Sequence, residues 1–255
     1  MTPPASRDIR SKAFEIKFVV DRDHGGRIRE AGRRMLSPDP WGSGPASDEY
    51  LTTTVYFDTD EFDVYLRRGS YGRSKYRVRR YGHHDVVFLE RKLRTSDVLS
   101  KRRTCLDMAE LGRLHAELDS DWPGLWFHER LLMRRLAPRC RVSYSRTARI
   151  GMTDGGPIRL TLDDDLSAGV ADVARFDSAD RASILGDKTI VEMKFTAAMP
   201  VAFKRLVEQF ALEPVRLSKY RLGVEATHGV ASPKWDRDSF PQETSPDPEF
   251  TNETR

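Results

Sequence analysis

Several stretches of this chain alternate apolar and polar residues with a period of two. In Phe14 to Val20, Phe14, Ile16, Phe18 and Val20 share one side, with Glu15 and Lys17 on the other. Successive side chains of a strand point to opposite faces, so such a run predicts a strand. The same reading gives strands at Thr52 to Asp58, Lys75 to Tyr81, Val86 to Arg94, Arg141 to Ile150, Ile158 to Asp163 and Thr189 to Phe195. Helical spacing predicts helices near 24–36, 107–118, 124–135 and 200–211. Asp107, with Glu110 three residues on, suits a capped helix start. Gly82-His83-His84-Asp85 and Asp154-Gly155-Gly156-Pro157 read as hairpin turns.

The polar faces of these strands are unusual. Lys75, Arg77 and Arg79 share a face, as do Phe88, Glu90, Lys92 and Arg94. Tyr144 pairs with Arg146, Arg159 with Thr161 and Asp163, and Glu192 with Lys194. An ordinary sheet with one solvated face is the plain reading of any one strand. Like charges at successive positions repel, however, and the repetition makes sense if the charged faces converge on a polyanion. The expected fold is therefore α+β: an antiparallel, eight-stranded barrel with a charged lumen and helices over its apolar outer faces. Guanidinium forks and ammonium groups in such a lumen suit phosphate oxygens, and the few carboxylates suit a hard divalent cation.

The 255 residues carry 43 basic and 39 acidic side chains, a formal charge of only +4. The last stretch, 230–255, holds three basic against six acidic residues, and removing it leaves +7 on 1–229. Its four prolines and weak apolar periodicity predict a disordered acidic tail. Residues 1–12 read as an N-terminal extension and 13–229 as one domain. No apolar run is long enough for a membrane helix, and Met1-Thr2-Pro3-Pro4 opens no signal peptide. Two cysteines, Cys105 and Cys140, build no disulfide framework, and a cytoplasmic location is expected.

Nine short stretches together resemble the polyphosphate-polymerase domain of the vacuolar transporter chaperone (VTC) complex, within the triphosphate tunnel metalloenzyme (CYTH-like) superfamily. In order they are Phe14-Glu15-Ile16-Lys17, Val55-Tyr56-Phe57-Asp58-Thr59, Tyr76-Arg77-Val78-Arg79-Arg80-Tyr81-Gly82 and Phe88-Leu89-Glu90-Arg91-Lys92. Then come Ser100-Lys101-Arg102-Arg103, Val142-Ser143-Tyr144-Ser145-Arg146, Ile158 to Asp163, Val191-Glu192-Met193-Lys194 and Ser218-Lys219-Tyr220. The resemblance implies transfer of the ATP γ-phosphate onto polyphosphate, an ATP-polyphosphate phosphotransferase. It implies Arg77, Arg79, Lys92, Arg146 and Arg159 as the triphosphate grip, with Lys17, Lys101 and Lys219 completing the basic lining. Lys75, Lys101, Tyr144, Lys194 and Ser218 are the expected substrate contacts. Glu192 is the expected ligand of Mn²⁺ or Mg²⁺, with Glu15, Glu90 and Asp163 as further metal candidates. Partners expected are ATP, polyphosphate, pyrophosphate and triphosphate; a membrane partner protein is compatible, and nucleic acid is not expected.

One departure bears on the reaction. Hydrolytic members open with Glu-x-Glu-x-Lys, whereas here the positions are Ala13, Glu15 and Lys17. The missing first carboxylate fits the polymerase branch. Two alternatives stand beside it: a metal-dependent inorganic or nucleoside triphosphatase, and a non-catalytic polyphosphate-binding module. Elsewhere, His83 and His84 read as a hairpin tip, and Asp164 and Asp165 as the start of a turn. Arg27, Arg29, Arg33 and Arg34 read as helix surface, with a polyphosphate funnel as the functional alternative. Trp122 and Trp126 are expected to pack helix against barrel.

Overall fold

The computed structural model describes residues 7–10, 14–94, 99–171, 176 and 181–231. The strands are β1 (Arg7–Arg10), β2 (Phe14–Asp21), β3 (Ser37–Pro38), β4 (Glu49–Asp58), β5 (Ser74–Tyr81), β6 (Val86–Arg94) and β7 (Leu99–Asp107). They continue with β8 (Ala137–Thr153), β9 (Gly156–Val170), β10 (Ala182–Ser183) and β11 (Lys188–Phe195). The helices are α1 (Arg22–Met35), α2 (Leu125–Met133), α3 (Val201–Gln209) and α4 (Lys219–His228). All strands join one sheet, and its neighbours pair antiparallel. Eight long strands run in the order β7-β6-β5-β4-β8-β9-β11-β2, and β1 lies on the outer edge of β7. Short β3 and β10 attach to β8 and β9. The sheet curls without closing: among the described residues β1 and β2 stay its two edges.

Apolar positions of the strands meet the helices on the convex side. Phe18, Leu160, Leu162, Val191 and Met193 pack with Ile28 of α1 and with Phe203 and Leu206 of α3. Gly25 of α1 touches Thr189 so closely that a Cβ there would collide with it. Val55, Val78, Val87 and Leu89 pack with Trp122, Trp126 and Phe127. Trp126 Nε1 donates to Thr104 Oγ1 at 2.8 Å, so the one polar atom of that indole is satisfied. Asp21 caps α1 by accepting from His24 N at 2.8 Å.

α4 lies on the opposite, concave side. Its Gly223 faces Cys140, Val142 and Ala168, where a Cβ would collide with the Cys140 sulfur. A bulge in β9, with Asp165 at φ 52°, turns Leu166 and Ala168 toward that side to receive it. Tyr220 OH donates to buried Asp58, which also accepts from Thr59 N, Val64 N and Tyr65 N at 2.7–2.9 Å. Ahead of α4, Val215 N donates to Lys17 O at 2.8 Å along the free edge of β2.

The sequence pattern and the structure differ at several elements. The strand β7 and the helix α4 were not expected as elements. The helix expected at 107–118 is a 3₁₀ run, Met108–His115, although Asp107 and Glu110 do form the expected capping box. Asp164 and Asp165 do not begin a turn, since β9 continues through its bulge to Val170. Asp154-Gly155 forms the β8–β9 turn, and Gly82 to Asp85 joins β5 to β6. Arg29 is tied to Asp164 and Thr147, and Arg33 to Asp48, Glu30 and Glu49. The expected tail, 230–255, lies outside the described residues from 232 onward.

Candidate functional site

The register of the curled sheet brings the charged faces together. Arg77 of β5 lies opposite Glu90 of β6, which lies opposite Arg103 of β7. Arg146 of β8 lies opposite Asp163 of β9, and Glu192 of β11 lies opposite Thr161 of β9 and Lys17 of β2. Each carboxylate becomes the centre of a group of cations. Glu90 receives Arg77 Nε at 2.7 Å, Lys101 Nζ at 2.6 Å and Arg103 Nε at 2.7 Å. Asp163 takes Arg146 in a two-pronged contact and Lys219 Nζ at 2.6 Å. Glu15 receives Lys17 at 2.7 Å, Lys194 at 3.5 Å and Lys92 at 3.8 Å, while Glu192 receives Lys194 at 2.5 Å.

Burial alone would keep these carboxylates protonated; their partners reverse that. Against burial, Arg77 and Lys101 hold Glu90 well below the usual range. Against burial, Lys194, Lys17 and Lys219 do the same for Glu192. Glu15 comes down to about 2, against burial and Glu192, through Lys194, Lys17 and Lys92. Asp163 is lowered, against burial, by Arg146 and Lys219.

Two cations of this face have no carboxylate in ion-pair contact among the described residues, although Glu90 acts on Arg79 from further off. Lys75 Nζ has Ser218 Oγ at 3.1 Å as its hydrogen-bond partner. Burial, with Lys92 and Lys17 nearby, pushes the Lys75 ammonium down to about 7. Arg79 is buried, and its Nε donates to Thr54 Oγ1 at 3.1 Å. Two buried threonine hydroxyls of the same face, Thr52 and Thr161, have no hydrogen-bond partner. Tyr81 closes one end of the β5 row. Its hydroxyl accepts from Arg103 Nη2 at 2.8 Å, and Arg79 and Arg103 outweigh burial to bring it down to about 7.

Arg159 is held by Asp39 at 3.0 Å and by Tyr50 OH at 2.8 Å, a pairing with a loop residue beside the strand-to-strand pairings of Arg77 and Arg146. Tyr144 is buried against Arg146 and Lys219, whose charged groups lie 5.1 and 5.0 Å from its ring centre. Ser218 contacts Lys75. Arg103, Tyr81 and Thr52 lie on the same inner face and were missed by strand reading. Arg103 had a signal, since it follows Lys101 by two residues and so shares its strand face.

Among the described residues no three of His, Cys, Asp and Glu converge as a metal cage. Glu90 and Asp163 are each surrounded by their own cations. Glu15 and Glu192 are different, because both reach one cationic atom, Lys194 Nζ. Two ionised carboxylates already converging on a cation fit a Mg²⁺-type ion, which takes one or two protein carboxylates and completes its shell from phosphate and water.

A VTC-domain family model matches residues 12–228. No curated protein matches the sequence. Solved structures of similar trace include one from Bacillus halodurans, named as a candidate adenylate cyclase, at 17% identity and TM-score 0.49. It covers 82% of this chain and 95% of its own. A Pyrococcus horikoshii protein scores 0.45 at 15% identity, covering 84% and 99%. A Hippeastrum protein, described as having a dominant triphosphatase activity, scores 0.46 at 15% identity, covering 86% and 97%. Likenesses at this level say nothing of chemistry.

Proposed function

Since the chain belongs to the VTC-domain family, we propose that it is a metal-dependent polyphosphate polymerase, moving the γ-phosphate of ATP onto a polyphosphate end within the basic lumen. The observation that carries this reading is the uncompensated charge. Glu15, Glu90, Asp163 and Glu192 are all engaged, yet Lys75 and Arg79 have no carboxylate in ion-pair contact among the described residues. A polyanion is the partner that would complete them, and the idle hydroxyls of Thr52 and Thr161 would donate to its oxygens.

Phosphoryl transfer asks the protein for position and charge more than for covalent chemistry. Arg77, Arg79 and Arg146 offer fork-shaped donors that fix phosphate orientation, and Lys75, Lys92 and Lys219 add compact charge. Their guanidinium and ammonium groups offset the charge that moves to the leaving oxygen. Glu192 and Glu15 would hold the divalent ion, whose bound contribution is to neutralise phosphoryl oxygens. The acceptor phosphate is itself ionised, so no general base is required.

Triphosphate hydrolysis is the second reading. Tyr81 favours it, because a phenol brought down to about 7 beside two guanidiniums is partly phenolate near neutral pH, and the phenolate can accept a proton from water. Incubation with ATP, Mn²⁺ and a short polyphosphate primer separates the two. Lengthened chains on a gel are the expected result; free phosphate without chains overturns the polymerase reading in favour of hydrolysis. Polyphosphate binding with neither product would leave a binding module.

A further inference from the structure

Lys194 stands where a cation belongs. Its Nζ lies 2.5 Å from Glu192 Oε1 and 3.5 Å from Glu15 Oε2, bridging carboxylates of the adjacent strands β11 and β2. Directly opposite Glu192 in the β9–β11 register is Thr161, whose buried hydroxyl has no partner. Two carboxylates converging on one point, with an idle hydroxyl on the neighbouring strand of the same face, are oxygen donors of the kind a hard divalent ion takes. An ammonium with three N–H donors fills the same place less completely. Lys17 and Lys92 also reach Glu15, so three ammoniums face two carboxylates here. A divalent ion arriving alone would join a locale that is already net positive. A polyphosphate reverses that balance, and its oxygens give the Lys194 ammonium somewhere else to go.

We propose that Lys194 is a built-in stand-in for the divalent cation and yields its place only when polyphosphate is present, so that metal and polyanion load together. This rests on the metal-dependent reading above and adds an order of assembly to it. A lysine fixed against its carboxylates would keep free metal from accumulating in an empty lumen.

The experiment is a Mn²⁺ titration of the whole protein without nucleotide or phosphate, following the free-ion electron paramagnetic resonance signal. Wild type should bind Mn²⁺ weakly. Lys194→Met and Lys194→Gln should each bind about tenfold tighter or more, the scale on which groups around metal ligands alter affinity. Lys194→Arg, which keeps the charge, should stay near wild type. Adding Glu192→Gln to Lys194→Met should abolish the gain. Affinities for both neutral variants within about twofold of wild type would overturn the proposal, as would a gain that survives Glu192→Gln. Calorimetry of wild type with inorganic tripolyphosphate, free of metal, is run alongside. Failure of tripolyphosphate to bind would count against the proposed function, whatever Lys194 does.

Discussion

Arg146 and Asp163 face each other across β8 and β9 in a two-pronged contact, with Nε to Oδ1 at 2.6 Å and the second nitrogen to Oδ2 at 2.8 Å. Both are buried, and Lys219 from α4 reaches the same carboxylate. Asp163→Asn would leave two cations unopposed away from water. We expect it to destabilise the unliganded protein by about 3–5 kcal/mol, measured by urea denaturation. Tripolyphosphate should restore part of that loss by binding the folded state. A change under about 1 kcal/mol would show that the contact is solvated rather than buried.

Acid should act through the same carboxylates. Glu15, Glu90, Asp163 and Glu192 all have lowered pKa values in the fold. Their contribution is present above the ordinary carboxylate range and is lost as pH falls through the folded values. Stability should therefore decline as pH drops from about 4.5 toward about 2, the range over which Glu15 is shifted. Glu90→Gln should remove part of this slope, as read from thermal melts across that range.

Lys75 should set a pH dependence of the opposite kind. Its ammonium, near 7 in the free protein, loses its charge as pH rises through that value. A bound polyanion favours the protonated form, so binding takes up a proton above about pH 7. Calorimetry from about pH 6 to about pH 9 should show tripolyphosphate affinity of wild type falling relative to Lys75→Met. Parallel profiles for the two proteins would remove Lys75 from the site. Tyr81 titrates in the same window, so Tyr81→Phe is measured beside it.

Gly223 should be intolerant of a side chain. An added methyl would press into Cys140 and Val142 and lift α4 from the concave face. Gly223→Ala should cost about 1–3 kcal/mol despite the better helix propensity of alanine. Because α4 carries Lys219, tripolyphosphate affinity should fall with it. A stabilised variant would mean that the helix seats loosely.

Period-two alternation located seven strands and, for six of them, the charged side, because a strand's two faces are written directly in its sequence. Lys75, Arg77 and Arg79 were readable as one row for that reason. β7 was not readable, since Ser100-Lys101-Arg102-Arg103-Thr104 has little apolar content on either face. Its pairing with β6 makes it a strand. α4 contains a central glycine that weakens any helix reading, and contact with β8 and β9 overrides it. The Arg159 contact was equally hidden, because Asp39 lies 120 positions away in a Pro/Gly loop. Which carboxylate serves which cations depends on register and curl, and no local pattern encodes either.

The two edges of the curled sheet, β1 and β2, are consecutive in the chain, with three residues between Arg10 and Phe14. Four peptide steps reach at most about 14 Å, so one corner of the seam is fastened by covalent bonds. Across the lumen, Glu15 and Lys92 add an ionic tie between β2 and β6. The seam is a hem stitched at one corner and buttoned by charge: salt can undo the button, but only cutting the chain undoes the stitch.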